Sequence, residues 1–161
     1  MQPMIHDVDE RIALASCGAV YISLLRKPLT LDGVARMAKQ SRRMFELYRG
    51  KCVSLAVIEP AAADAASKEV RDKSAELARA QPILGAAIVI EGTGFRPAAT
   101  RTLVAGLYLV TKKEYPHKIV STPAEGAEWL VPILAQVGVT QSAEDMVAAV
   151  EAARAASAAI G

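Results

Sequence analysis

The sequence predicts an α/β fold: a mostly parallel sheet, opened by an N-terminal antiparallel hairpin, with helices packed on the sheet. Three observations carry that prediction. RIALAS (11–16) and AVYISLL (19–25) are short apolar runs separated only by Cys17 and Gly18, the mark of a hairpin with a tight turn at glycine. CVSLAVIE (52–59), GAAIVIE (85–91) and HKIVS (117–121) read as three further strands. Segments of helical period lie between them, and such alternation calls for parallel strands joined by right-handed crossovers.

After the hairpin, TLDGVARMAKQSRRMFELY (30–48) repeats apolar groups at Leu31, Val34, Ala38, Phe45 and Tyr48. Thr30 can cap its start and Gly50 lies just past its end, so this is a helix. The run 52–59 is continuously apolar, as in a strand covered on both faces. Residues 65–80 carry Val70, Ser74 and Leu77 on a narrow stripe among charges, which reads as a surface helix. A buried strand follows at 85–91, then a helix over 97–112 whose Leu103, Val104, Leu107, Tyr108 and Val110 predict deep packing.

After the strand 117–121, Thr122 can cap a helix and Pro123 takes its first position, where a missing N–H is harmless. Glu125 completes a capping box. Pro132 is expected to bend or shorten this helix, and Gly138 to end it. Ser142, with Asp145 three residues on, opens a last helix that its alanines make easy to form. Residues 1–161 thus read as a single domain, with a core over about 10–137 and an extra C-terminal helix over 142–160.

Composition narrows the function. The chain is 52% apolar and 22% charged, which argues against wholesale disorder. Nineteen basic side chains face seventeen acidic ones, and a net charge of +2 gives little reason to expect nucleic acid as a partner. No apolar run reaches the roughly 18 residues of a membrane span. MQPMIHDVDER is acidic and polar, unlike a secretory signal. Cys17 and Cys52 show no CxxC spacing and read as buried thiols in a reducing compartment, so a cytoplasmic location is expected.

EGTGFRPAATRT (91–102) poses the main chemical question. A helix N-terminus after a parallel strand is a natural anion site, and Arg96 and Arg101 add charge. The dinucleotide fingerprint, however, needs G-x-G-x-x-G in the first strand–helix crossing, and here Pro97 stands in the third glycine's place. The phosphate loop needs Gly-Lys-Ser/Thr, which the chain lacks. A structural turn is the expectation, with no cofactor.

No set of residues composes a catalytic or metal centre by spacing. His6 lies in a terminus expected to fray, and His117 sits at the entry to a strand. Arg36, Lys39, Arg42 and Arg43, followed by Arg49 and Lys51, give the first helix a basic face, read as solvated or as a contact for a membrane surface or an acidic partner. Glu59 and Glu91 end adjacent-looking strands, where open α/β sheets bind ligands, but are not obviously paired. In the last helix Met146, Ala149, Val150, Ala153, Ala156 and Ile160 form a smooth stripe that Ser157 interrupts. That stripe can cover the sheet or pair with its copy in a homodimer, and the sequence leaves both open.

From GAAIVIEG through YPHKIVSTPAEGAEWL the chain resembles the closing half of the sulfate-transporter and anti-sigma-antagonist (STAS) fold. It is more narrowly similar to bacterial stand-alone STAS-like proteins, which end in a strand, a short polar turn and a helix closing on Trp-Leu. Here those are HKIVS, Thr122–Glu128 and Trp129-Leu130, and the resemblance covers about residues 10–137. It implies a non-enzymatic regulatory domain that binds a protein partner. In anti-sigma antagonists the partner is kinase-like, and a Ser or Thr in an Asp-Ser loop after the third strand is phosphorylated. The matching region is EPAAADAASKEV, with Ser67, or by local look EGTGF, with Thr93; neither holds an Asp-Ser pair. Taken with the strand-end position of Glu59 and the charge of Arg101 by the glycine loop, the candidate binding residues are Glu59, Ser67, Thr93, Gly94, Phe95, Arg96 and Arg101. The alternative is a carrier or sensor of a small apolar or anionic ligand at the strand-end loops around 92–96.

Overall fold

Every run read as a strand pairs with its neighbour in sequence. The computed structural model describes residues 1–64, 66–111 and 115–161, with 106–111 described as backbone. Its strands are β1 (Met4–Val8), β2 (Ile12–Cys17), β3 (Val20–Leu25), β4 (Val53–Ile58), β5 (Ala86–Ile90) and β6 (His117–Val120). They form one sheet in that order, antiparallel from β1 to β3 and parallel from β3 to β6. The fold is α/β with an antiparallel N-terminal opening, as the sequence predicts.

Sequential strand order, with every crossover on one face, sets the layers. Helices α1 (Leu31–Tyr48), α2 (Lys68–Ala80) and α3 (Phe95–Thr111) join the parallel strands and lie side by side on one face. Helices α4 (Pro123–Ala135) and α5 (Ala143–Ala158) cover the other. Burial on both sides explains the unbroken apolar runs, for β2, β3 and β5 hold no exposed residue. Ala13 and Ala15 of β2 are fully buried in the same cluster as Ala149 and Ala153 of α5, so small side chains on both let helix and sheet approach closely. The alanine stripe is thereby used within the chain, while Ile160 stays exposed. Among the described residues no helix is long and apolar enough to cross a membrane.

The N-terminus departs from expectation. Residues 4–8 are strand β1, so the opening hairpin is a three-stranded meander and the sheet begins before residue 10. A bulge between Ile5 and Asp7 bends this edge strand. Asp7 and Asp9 then meet Arg36 of α1, whose Nη2 lies 2.8 Å from Asp7 Oδ1 and Nη1 2.5 Å from Asp9 Oδ2. The hydrogen bond from Arg36 holds Asp7 below the ordinary carboxyl range. Burial pushes Asp9 the other way, but Arg36 and the backbone N–H groups of Arg11 and Ile12 carry it below as well. Depressed carboxyl pKa values contribute stability that is complete above about pH 4 and lost as pH falls through the folded-state values. Urea unfolding followed from pH 6 to pH 2.5 should show that acid loss, and it should be shallower in Asp7→Asn/Asp9→Asn.

Three smaller differences concern the helices. Helix α2 starts at Lys68; residue 65, the predicted start, lies outside the described residues. Helix α3 starts at Phe95, two residues early, and its described part is not deeply packed: Leu103 is 42% exposed and Val104 half-buried. The side chains of Leu107, Tyr108 and Val110 lie outside the described residues. Helix α4 runs through Pro132 to Ala135, and Gly138, with φ of 78°, follows its end.

Candidate functional site

The register of the parallel strands builds one end of the sheet. Leu25 pairs with Ile58 and Ile58 with Ile90, so the next residues, Arg26, Glu59 and Glu91, stand in a row across three strand ends. Arg154 reaches down from α5 and joins the row. Its Nη2 lies 3.0 Å from Glu91 Oε2, its Nη1 lies 3.1 Å from Glu91 Oε1, and Nη1 also bonds Glu59 Oε2. Arg26 Nε donates to Glu59 Oε1 at 3.1 Å, and its Nη1 donates to Ser157 Oγ at 3.2 Å. Burial works against the charge on Arg154, but Glu91 and Glu59 hold its pKa above the ordinary arginine value. The two carboxylates that spacing left unpaired are thus bound through a shared arginine. Ser157, the polar interruption in the α5 stripe, supplies Arg26 with an acceptor.

Beside this row, two loops are laced together. The β4–α2 loop carries Asp64 and Ser67; the β5–α3 loop carries Thr93 and Gly94, and Phe95 and Arg96 follow as the first residues of α3. Arg96 Nη1 lies 3.4 Å from Asp64 Oδ1, and Thr100 Oγ1 donates to the Ala63 carbonyl at 3.0 Å. The two segments that the sequence offered as separate matches for one regulatory loop therefore form one surface.

The glycine loop is a turn. Gly92 and Gly94 have φ of 96° and 107°, a region that side-chain-bearing residues rarely enter. At Gly92 a Cβ would also meet Pro60 Cγ at 2.9 Å. Arg101, a candidate anion ligand, donates instead from Nη2 to the carbonyls of Ile90 (2.8 Å) and Gly92 (3.0 Å), pinning the turn. Pro97 brings no N–H to the first turn of α3, which thins the donor set an anion would need.

Among the polar groups at these loops stands an apolar patch. Phe95 is 87% exposed at the start of α3, with Ala98, Ala99 and Leu103 exposed along the same helix. Ser67 is exposed and caps α2, accepting from the Val70 N–H at 3.3 Å. Ser67→Ala should cost about 1 kcal/mol in unfolding free energy, whereas Ser67→Asp, which keeps a cap and favours the helix dipole, should cost nothing measurable. Chemical denaturation of the two variants checks this.

Of the two histidines, His6 departs from expectation and His117 does not. His6 is no frayed residue: its Nε2 lies 2.7 Å from Ser16 Oγ across β1 and β2. Burial, then the nearby charge of Arg43, lowers its pKa and favours the neutral ring. Ser16 is 8% exposed and follows Ile12 and Leu14 on the strand face that packs under α1, so the pair is a cross-strand bond inside the sheet layer. His117 is exposed as the first residue of β6. Both thiols are free and buried, and burial pushes Cys52 up to about 11, far from a reactive thiolate. Among the described residues no group of histidine, cysteine and carboxylate side chains could hold a metal ion. No family model, no curated protein and no solved structure matches this chain.

Proposed function

We propose that this chain is a non-catalytic, STAS-like regulatory or adaptor module of the cytoplasm that binds a protein partner on the joined loops after β4 and β5. The observation that carries the reading is Phe95, an aromatic side chain 87% exposed on the surface that Arg96–Asp64 joins to the Ser67 loop, two residues after exposed Thr93. Covering a phenylalanine on association is worth about 1.5–3 kcal/mol, and aromatic anchors ringed by polar groups are the usual centre of a binding surface. The hydroxyls suit regulation. A phosphate on Ser67 would sit at the N-terminus of α2, which tolerates negative charge, and would change the sign of the surface a partner meets. A carrier of a small anion at these loops would first have to open the Glu59–Arg154–Glu91 ion pairs and free Arg101 from its carbonyls, and so is disfavoured.

Photo-crosslinking in the native cell tests the proposal. A crosslinking amino acid at exposed Ala99 should give one discrete adduct, absent when Phe95→Asp is added and absent when the crosslinker replaces exposed Glu128 on α4. Equal adducts from both positions, or none from Ala99, would overturn it.

A further inference from the structure

The opposite end of the α1–α2 layer carries a second surface that this reading does not use. Between the C-terminal turns of α1 and α2 lies a groove of about 420 Å³, a volume in the range of specific binding sites. Phe45, Leu77, Ala80 and Pro82 make it apolar, and Arg42 and Arg49 line it from α1. We propose that this groove docks an acidic segment of a protein partner, seating one bulky apolar side chain between the helices while its carboxylates meet the arginines.

Three observations support the charge half of the match. Arg36 and Arg154 of this chain are each tied to two or more carboxylates, yet among the described residues Lys39, Arg42, Arg49 and Lys51 make no ion pair. Of these, Arg42 and Arg49 line the groove, both exposed, and Glu46 is its one acidic lining residue, so the sum there is positive. Compensation of the helix dipole accounts for a cation at the end of α1 but not for Arg42, more than a turn before it. Arg49 itself sits at φ of 52° and ψ of 44°, the left-handed cap position where glycine is the relaxed choice. A long cationic side chain is therefore kept on the groove against local backbone preference.

Shape decides between a protein segment and a membrane. Insertion into a bilayer surface needs apolar side chains that protrude, and the large apolar side chains lining the groove, Phe45 and Leu77, are half-buried. The apolar surface here is concave, which suits one inserted side chain of a helix or loop.

Fluorescence anisotropy on the full chain tests the proposal, using a labelled synthetic peptide of glutamates around a single phenylalanine. The expected result is saturable binding that weakens with salt, and that falls about tenfold when the peptide's phenylalanine becomes alanine or the protein carries Arg42→Glu. Arg49→Gly is the sharper variant, because it relaxes the backbone. It should melt no lower than the parent yet bind the peptide about fivefold more weakly. The proposal is overturned if the phenylalanine peptide fails to saturate, or if both protein variants bind it like the parent. It is also overturned if anionic phospholipid vesicles bind the protein and displace the peptide.

Discussion

Arg154→Met is expected to lower the unfolding free energy by about 3 kcal/mol. The reason is what it leaves behind. Glu59 and Glu91 stand side by side at the ends of β4 and β5, with side chains only 15% and 22% exposed, and Arg154 is the group shared between them. Without it Glu91 has lost both its bonds, Glu59 retains only Arg26, and two like charges face each other in a half-dry setting. The side chains keep some contact with solvent, so the loss belongs at the low end of that for breaking a buried pair. Adding Glu91→Gln to Arg154→Met should restore a large part of the stability by removing one stranded charge, a coupling that guanidinium titration of the double-mutant cycle measures directly. A substitution that merely removed packing would show no such rescue.

Phe95→Asp is expected to weaken partner binding about thirtyfold or more, equivalent to some 2 kcal/mol, without lowering the melting temperature. The two halves of that expectation have separate grounds. Phe95 is 87% exposed, so its removal takes almost nothing from the core, and an aspartate in the first turn of α3 favours the helix dipole. On a partner's surface the same residue would be the aromatic anchor, and a carboxylate in its place would have to be desolvated. Titration calorimetry with the crosslinked partner reads the first half, and circular dichroism the second.

The sequence carries most of the fold, for physical reasons visible in particular residues. Strands covered on both faces need nearly continuous apolar runs, and 86–90, and 53–58 but for Ser54, are such runs. Side-chain caps leave a local signature: Thr30, Thr122 and Ser142 accept from the N–H groups of Gly33, Glu125 and Asp145 as their spacing predicts. Strand β1 escaped because its bulge spoils the two-residue period. Ile5 and Val8 pack against one core cluster though they stand three apart, and half-buried edge positions admit His6 and Asp7 between them.

The candidate site was readable only in pieces. Glu59 and Glu91 stood out at strand ends, but Arg26 occupies the equivalent place after β3, and only the register lines the three up. Arg154 is the sole basic residue of an otherwise alanine-rich α5, a signal that becomes meaningful once that helix is laid across the strand ends. The union of the Ser67 and Thr93 loops is likewise tertiary, since it depends on Arg96 reaching Asp64 across 32 positions of sequence.

Hydrogen–deuterium exchange of the full chain, with and without the captured partner, tests the docking surface most directly. Slowed exchange confined to peptides covering 63–67 and 92–99 is the predicted result. Unchanged exchange in both segments, with protection appearing elsewhere on the sheet or helices, would contradict it.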